Sequence, residues 1–253
     1  MNFPIEFHIS SFNISAHFIF ESLGYIIGFR YYKYLRSNFA QNEISIDKNL
    51  WLITGCIFGA ALGSKLLNIL DAQEFTKLNF LNFFLGGKTI VGGFIGGWAG
   101  VEVAKYFNQI KFSTGDLFVF PTIIGTCIGR IGCFLQGLED GTYGIKTKSI
   151  FGVNFGDGIN RHPTQLYEIL YLLLIYLLLK KIYQTGLPNG TLFRIFMMSY
   201  FIFRFSIEFI KPNHIFIFGL SAIQVASLLM VFYCSNIFFP KSKYYFLYRY
   251  FLY

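Results

Sequence analysis

The chain has 253 residues, 54% of them hydrophobic and only 13% charged. A soluble domain carries about 25% charge, so this composition, with a mean hydropathy of +0.51 and 33 phenylalanines, argues for a surface that largely faces lipid. The formal charge of +8 does not indicate nucleic acid, because the basic residues stand singly between apolar runs; anionic lipid headgroups are the fitting counter-charge.

Met1 to Asn13 is mixed in character and no basic stretch precedes the first apolar run, so no cleavable signal peptide is expected. About 20 mostly apolar residues cross a bilayer. Seven candidate segments follow in order: His17–Tyr32, Leu52–Leu70, Phe83–Phe107, Leu117–Leu138, Gln165–Tyr183, Thr191–Ile210 and Phe216–Phe239. No Pro/Ser-rich linker separates them. The expected fold is therefore all-α, a polytopic membrane helical bundle forming one integral membrane domain over residues 1–253, acting as a monomer.

The second to fourth segments are rich in glycine, which lets helices approach closely. Gly86-Gly-Lys-Thr-Ile-Val-Gly-Gly-Phe-Ile-Gly-Gly97 opens the third. Helix packing through small residues is the favoured reading of this run. A phosphate contact through the amides of Gly92 and Gly93 is the alternative, but no Walker spacing is present.

Basic residues distinguish the loops. Arg30, Lys33, Arg36 and Lys48 lie at or beyond the end of the first segment, Lys105 and Lys111 of the third, Lys180 and Lys181 of the fifth, and Lys241, Lys243 and Arg249 of the last. Glu43 and Asp47 are the acidic exceptions. The alternate loops are mixed in sign, with Asp71, Glu74 and Lys77 in one, and Glu139, Asp140, Lys146, Lys148 and Asp157 in another. This pattern places the N-terminus outside and the C-terminus in the cytoplasm. Glu139–Arg161 is then the longest outer loop, expected to form a small irregular extracytoplasmic head.

Cys56, Cys127 and Cys234 read as small buried hydrophobes, and the four cysteines, Cys133 included, show no metal-like spacing. No metal or cofactor is expected.

Ionisable residues inside spanning segments cost about 2.5–3.5 kcal/mol on insertion scales and usually face a cavity or a partner. Arg130 lies in the fourth segment. Arg204 and Glu208 stand four apart in the sixth, on one helical face, as a structural ion pair or as part of an anion site. Glu168 follows His162-Pro-Thr-Gln-Leu-Tyr167 at the start of the fifth. Arginine binds phosphate bidentately and stays charged when buried, so two arginines from different helices suggest a phospholipid headgroup. His162, before Pro163, either anchors a helix end or serves the headgroup and proton transfer.

These motifs resemble those of the prolipoprotein diacylglyceryl transferase family. Gly129-Arg-Ile-Gly-Cys-Phe-Leu-Gln-Gly137 is similar to the family's G-R-x-G-N-F-x-N-G signature, and Arg161-His-Pro-Thr-Gln-Leu-Tyr-Glu168 follows its R-H-P-[ST]-Q-L-Y-E stretch. Tyr200, Arg204 and Glu208 reproduce a Y-x-x-x-[FY]-R-x-x-x-E spacing, with Lys211 where an arginine is common. Gly59-Ala-Ala-Leu-Gly-Ser-Lys65 resembles its G-A-R-x-G segment more weakly. The resemblance implies a bacterial inner-membrane enzyme that moves the sn-1,2-diacylglyceryl group of phosphatidylglycerol to the lipobox cysteine of prolipoprotein signal peptides. It implies that Arg130 and Arg204 hold the lipid phosphate and that Glu208 orients Arg204. His162, Gln165, Tyr167, Glu168 and Tyr200 then shape the headgroup site.

The departures fall where chemistry is expected. The family's third segment opens H-G-G-[LM]-x-G, with the histidine a proposed base; this chain has Val91-Gly-Gly-Phe-Ile-Gly96. Cys133 and Gln136 replace the two signature asparagines, and Leu138 with Glu139 replaces a glutamate after the glycine. His162, Glu139 or bulk pH would then aid deprotonation. The alternative is a paralogue that keeps the phospholipid site without this transfer.

Overall fold

A computed structural model describes residues 3–9, 12–39, 44–72, 86–212 and 215–238. Glu43, Glu74, Lys77, Phe83, Phe239, Lys241, Lys243 and Arg249, used above, lie outside the described residues.

The described residues are mostly helical. A hairpin of β1 (Glu6–Ile9) and β2 (Phe12–Ser15) leads into α1 (Ala16–Phe39) and α2 (Ile46–Ala72). Then come α3 (Ile90–Phe107), α4 (Asp116–Gln136) with a 3-10 turn over Gly137–Asp140, and a two-residue ladder of β3 (Val153–Asn154) and β4 (Asn160–Arg161). α5 (Thr164–Tyr183), α6 (Thr191–Ile207) with a 3-10 turn over Glu208–Ile210, and α7 (Ala222–Phe238) complete the order. Among them α2 and the stretch Asp116–Asp140 are long and apolar enough to cross a membrane, and Ala222–Ser235 is a shorter apolar helix.

Each helix overlaps one expected segment, but α1 runs on to Phe39 and α2 starts at Ile46, so Arg30, Lys33, Arg36 and Lys48 are helical rather than loop residues; three further differences have local causes. The hairpin before α1 was not expected, because each strand is only four residues long and lacks a clear alternation. α3 starts at Ile90, since Thr89 caps it by accepting a hydrogen bond from Gly92 N at 3.3 Å. α7 starts at Ala222 rather than Phe216, because Ser221 and Gln224 cap it reciprocally: Gln224 N donates to Ser221 Oγ at 3.1 Å and Ser221 N to Gln224 Oε1 at 2.9 Å.

Two compact units emerge. The first comprises Met1–Gln41, Thr114–Phe196 and Phe209–Pro212. In it α4 packs on both α1 and α5. Tyr32 stacks on Phe118 with centroids 4.3 Å apart, and Phe3, Phe134 and Phe155 form an edge-to-face cluster. Phe155 therefore anchors the outer loop, whose turn is held by Asn154 Oδ1 accepting from Gly156 N and Gly158 N. The outer face of α5 exposes Leu170, Leu173, Leu174, Leu177 and Leu178, a leucine stripe unsuited to water.

The second unit comprises Asn42–Ser113, Met197–Glu208 and Asn213–Tyr253. Here α2 and α3 meet along glycines: a Cβ added at Gly59 or at Gly96 would run into the other's carbonyl oxygen, and one at Gly55 would lie 2.6 Å from Gly100 O. Lys105, assigned to a loop from sequence, occupies the last turn of α3, where its ammonium is 3.1 Å from Glu102 Oε1. α7 packs on α2 and α3.

Candidate functional site

In the first unit the buried face of α4 carries Val119, Ile123, Cys127 and Arg130, spaced by four, four and three residues. That spacing keeps all four on one side of a 3.6-residue helix. Arg130 is the polar end of this otherwise apolar stripe. Facing it, the first turns of α5 bury Gln165 and Glu168, again three apart. Arg130 Nε lies 2.9 Å from Glu168 Oε2, with the two side chains 9% and 3% exposed. Arg130 Nη1 also approaches Cys133 Sγ at 3.7 Å.

The amide of Gln165 is 1% exposed, and neither its nitrogen nor its oxygen has a hydrogen-bond partner among the described residues. Leaving a buried polar group unsatisfied costs about 1–3 kcal/mol. A guanidinium and an orphaned amide, both buried, can together receive a polar, anionic group.

The outer loop fixes the start of α5. Gly144 N donates to His162 O at 2.8 Å, His162 N to Ile145 O at 3.2 Å, and the Thr164 hydroxyl to Thr142 O. His162 Nδ1 is 3.1 Å from the Tyr167 hydroxyl, so these two predicted residues pair with each other. Glu139 is exposed, and its Oε2 accepts from Gln136 Nε2 at 2.6 Å.

Sequence reasoning missed the neighbour of Cys133. α1 presents His17, and one atom each from His17, Cys133 and Asp140 lie within 4.8 Å of one another. His17 Nδ1 is 3.6 Å from Asp140 Oδ1, and Nε2 is 3.4 Å from Glu21 Oε2. His17 and Cys133 are far apart in sequence, and no spacing rule links them.

The second unit holds Tyr200, Arg204 and Glu208, all at most 4% exposed. Tyr200 packs on Phe94 with centroids 4.7 Å apart, and Arg204 Nη2 donates to Glu208 Oε2 at 3.2 Å. Gln224 Nε2 reaches Phe205 O at 3.5 Å, which ties the start of α7 to this helix. Gly92 faces Gly63 and uses its amide in the Thr89 cap, while a Cβ added at Gly93 would make only ordinary contact with Ala60 O and Ser64 Cβ at 3.9 Å. Val91 is fully buried.

The family model of prolipoprotein diacylglyceryl transferase matches residues 4–239. The chain belongs to the prolipoprotein diacylglyceryl transferase family. It is similar to the phosphatidylglycerol–prolipoprotein diacylglyceryl transferase of Dehalococcoides mccartyi, 31% identical over 238 residues that cover 90% of this chain and 89% of the relative. The same-named protein of Ehrlichia ruminantium is 30% identical over 203 residues, covering 75% and 77%. That of Clostridium botulinum is 26% identical over 257 residues, covering 95% and 99%. Family membership thus spans both compact units.

Proposed function

We propose that this protein transfers the diacylglyceryl group of phosphatidylglycerol to the lipobox cysteine of prolipoproteins, in the inner membrane, as a seven-span, single-domain monomer. The N-terminus is outside and the C-terminus inside. The observation that carries the reading is the buried Arg130–Glu168 pair beside the orphaned Gln165 amide, in a member of this family.

The chemistry follows from those groups. The acceptor sulfur forms a C–S bond to the terminal glyceryl carbon, the C–O bond to phosphorus breaks, and glycerol phosphate leaves with the electron pair. Charge builds on the leaving phosphate, so fixed guanidinium groups in a water-poor site stabilise the transition state more than the ground state. Arg130 supplies this charge and is held in orientation by Glu168. Gln165, His162 and Tyr167 supply hydrogen bonds to the headgroup. Arg204, oriented by Glu208 and flanked by Tyr200, is the second cationic group on which transfer depends.

The acceptor thiol needs deprotonation, since its ordinary pKa of about 8.5 leaves a few per cent thiolate near neutrality. Val91, apolar and fully buried, cannot serve as the base. That observation favours the second reading, a phospholipid-binding paralogue without transfer. Mass analysis of a lipobox peptide incubated with the protein and phosphatidylglycerol separates the two.

A further inference from the structure

We propose that His17, Cys133 and Asp140 are a three-ligand site for a divalent zinc-class cation. Its open fourth position takes the acceptor thiol. The thiol role rests on the transferase reading; the metal site does not.

The donor set is that of a zinc site. A thiolate, an imidazole and a carboxylate are the ligand types that bind zinc tetrahedrally, and catalytic zinc sites use three protein ligands with a fourth position free. Zinc–ligand bonds of about 2.0–2.3 Å set adjacent ligand atoms roughly 3.3–3.8 Å apart. His17 Nδ1 and Asp140 Oδ1 already stand at 3.6 Å. The whole trio lies within 4.8 Å, so closing on a cation needs movements of about 1 Å or less.

The surrounding contacts orient two of the three ligands. A metal-bound histidine usually donates its other ring nitrogen to a carboxylate, which fixes the tautomer. With Nδ1 on the metal, Nε2 faces Glu21 Oε2 at 3.4 Å, one helical turn along α1. Asp140 Oδ2 accepts from the Thr142 hydroxyl, leaving Oδ1 toward the trio. Both flanking contacts therefore orient ligands rather than compete with them. The local charge also suits a cation, because the Glu21 and Asp140 carboxylates both face His17.

The trio also adjoins Arg130. Arg130 Nη1 is 3.7 Å from Cys133 Sγ, so a thiol on the cation would sit beside the guanidinium proposed for the phosphate. A thiol that coordinates zinc is deprotonated outright. Metal-bound hydroxide takes the thiol proton and leaves as water, and the sulfur takes its place. That sulfur's lone pair then attacks the glyceryl carbon as the C–O bond to phosphate breaks, the electron pair leaving with phosphate on Arg130. The thioether departs, and a fresh water binds and loses a proton. Val91 then needs no replacement base.

The test uses the full chain in detergent, stripped with chelator and titrated with zinc against a chromophoric competitor, and separately with cobalt. One equivalent of zinc per chain is expected. Affinity should fall at least about 100-fold in Cys133→Ser, His17→Gln and Asp140→Asn, and about 10-fold in Glu21→Gln. Cobalt should give a thiolate charge-transfer absorption that persists in Cys234→Ser and vanishes in Cys133→Ser. Absence of stoichiometric zinc, or a charge-transfer band surviving in Cys133→Ser, overturns the site. Because no lipid or peptide enters these titrations, they are independent of the transferase reading. In the peptide assay, chelation should abolish transfer and zinc restore it; full activity after chelation overturns the thiol role.

Discussion

Arg130 Nε lies 2.9 Å from Glu168 Oε2, and both side chains are more than nine-tenths buried. Burying such a pair is costly, and losing one partner strands the other charge at about 3–5 kcal/mol. Arg130→Ala should therefore lower transfer from phosphatidylglycerol by at least about 100-fold, the scale of a lost charge-stabilising donor. Arg130→Lys should rescue little, because a point charge cannot replace the planar fork. Steady-state transfer rates for both variants, with protein yield and melting as controls, check this. Rates for Arg130→Lys equal to wild type would remove the bidentate role.

Glu168→Gln should act differently from a substitution of Arg130. It keeps the shape but removes the counter-charge, so the lipid-free protein should melt lower. Added phosphatidylglycerol should restore more stability to the variant than to wild type, since an anionic headgroup then supplies the missing charge. Thermal unfolding with and without the lipid, against a zwitterionic lipid control, reads this difference.

Gln165 separates stability from binding. Replacing its amide with Leu removes two buried polar atoms that lack partners among the described residues. The lipid-free protein should be as stable as wild type or gain about 1 kcal/mol, while phosphatidylglycerol binding weakens. Melting temperature and lipid affinity moving down together would show that the amide is structural.

The glycine seam in the second unit makes a packing prediction. Gly96→Ala drives a methyl into the Gly59 carbonyl, whereas Gly129→Ala meets nothing within 4 Å. The first should lose about 1–3 kcal/mol and the second should gain up to about 1 kcal/mol from helix propensity. Denaturant-dependent unfolding in detergent compares them.

The outer loop makes a pH prediction. A hydrogen bond from Arg161 holds the Asp157 carboxyl below its ordinary value, and the same contact raises Arg161. Its folded pKa is depressed, so the stabilisation is present above the unfolded value of about 3.9 and is lost as pH falls through the folded one. In an Arg161→Gln variant, the Asp157 carbon resonance should titrate at higher pH than in wild type. Identical titration curves would show that the pair does not form in solution.

Much of this was legible from residue patterns. Arg204 and Glu208 could be paired because four residues bring side chains onto one helical face. Close approach of the glycine-rich helices was readable, because small residues recurring in apolar helices let backbones meet, but the pairing of Gly59 with Gly96 was not. The start of α7 was also readable, from the Ser221-Ala-Ile-Gln224 capping box, but hydropathy alone placed it six residues early. The partner of Arg130 was not, because Glu168 arrives on a separate helix and only packing sets which faces meet. His17, Cys133 and Asp140 were hidden for the same reason: hydropathy assigns His17 to a span edge and Asp140 to a loop, and neither label carries distance.

The most direct test is mass analysis of a lipobox peptide incubated with the purified protein and phosphatidylglycerol. The peptide should become heavier by one diacylglyceryl group on its cysteine, with glycerol phosphate released in equal amount and at least about 100-fold less product from Arg130→Ala. An unmodified peptide, under conditions where a conventional member of the family modifies it, would show that this protein does not carry out the transfer.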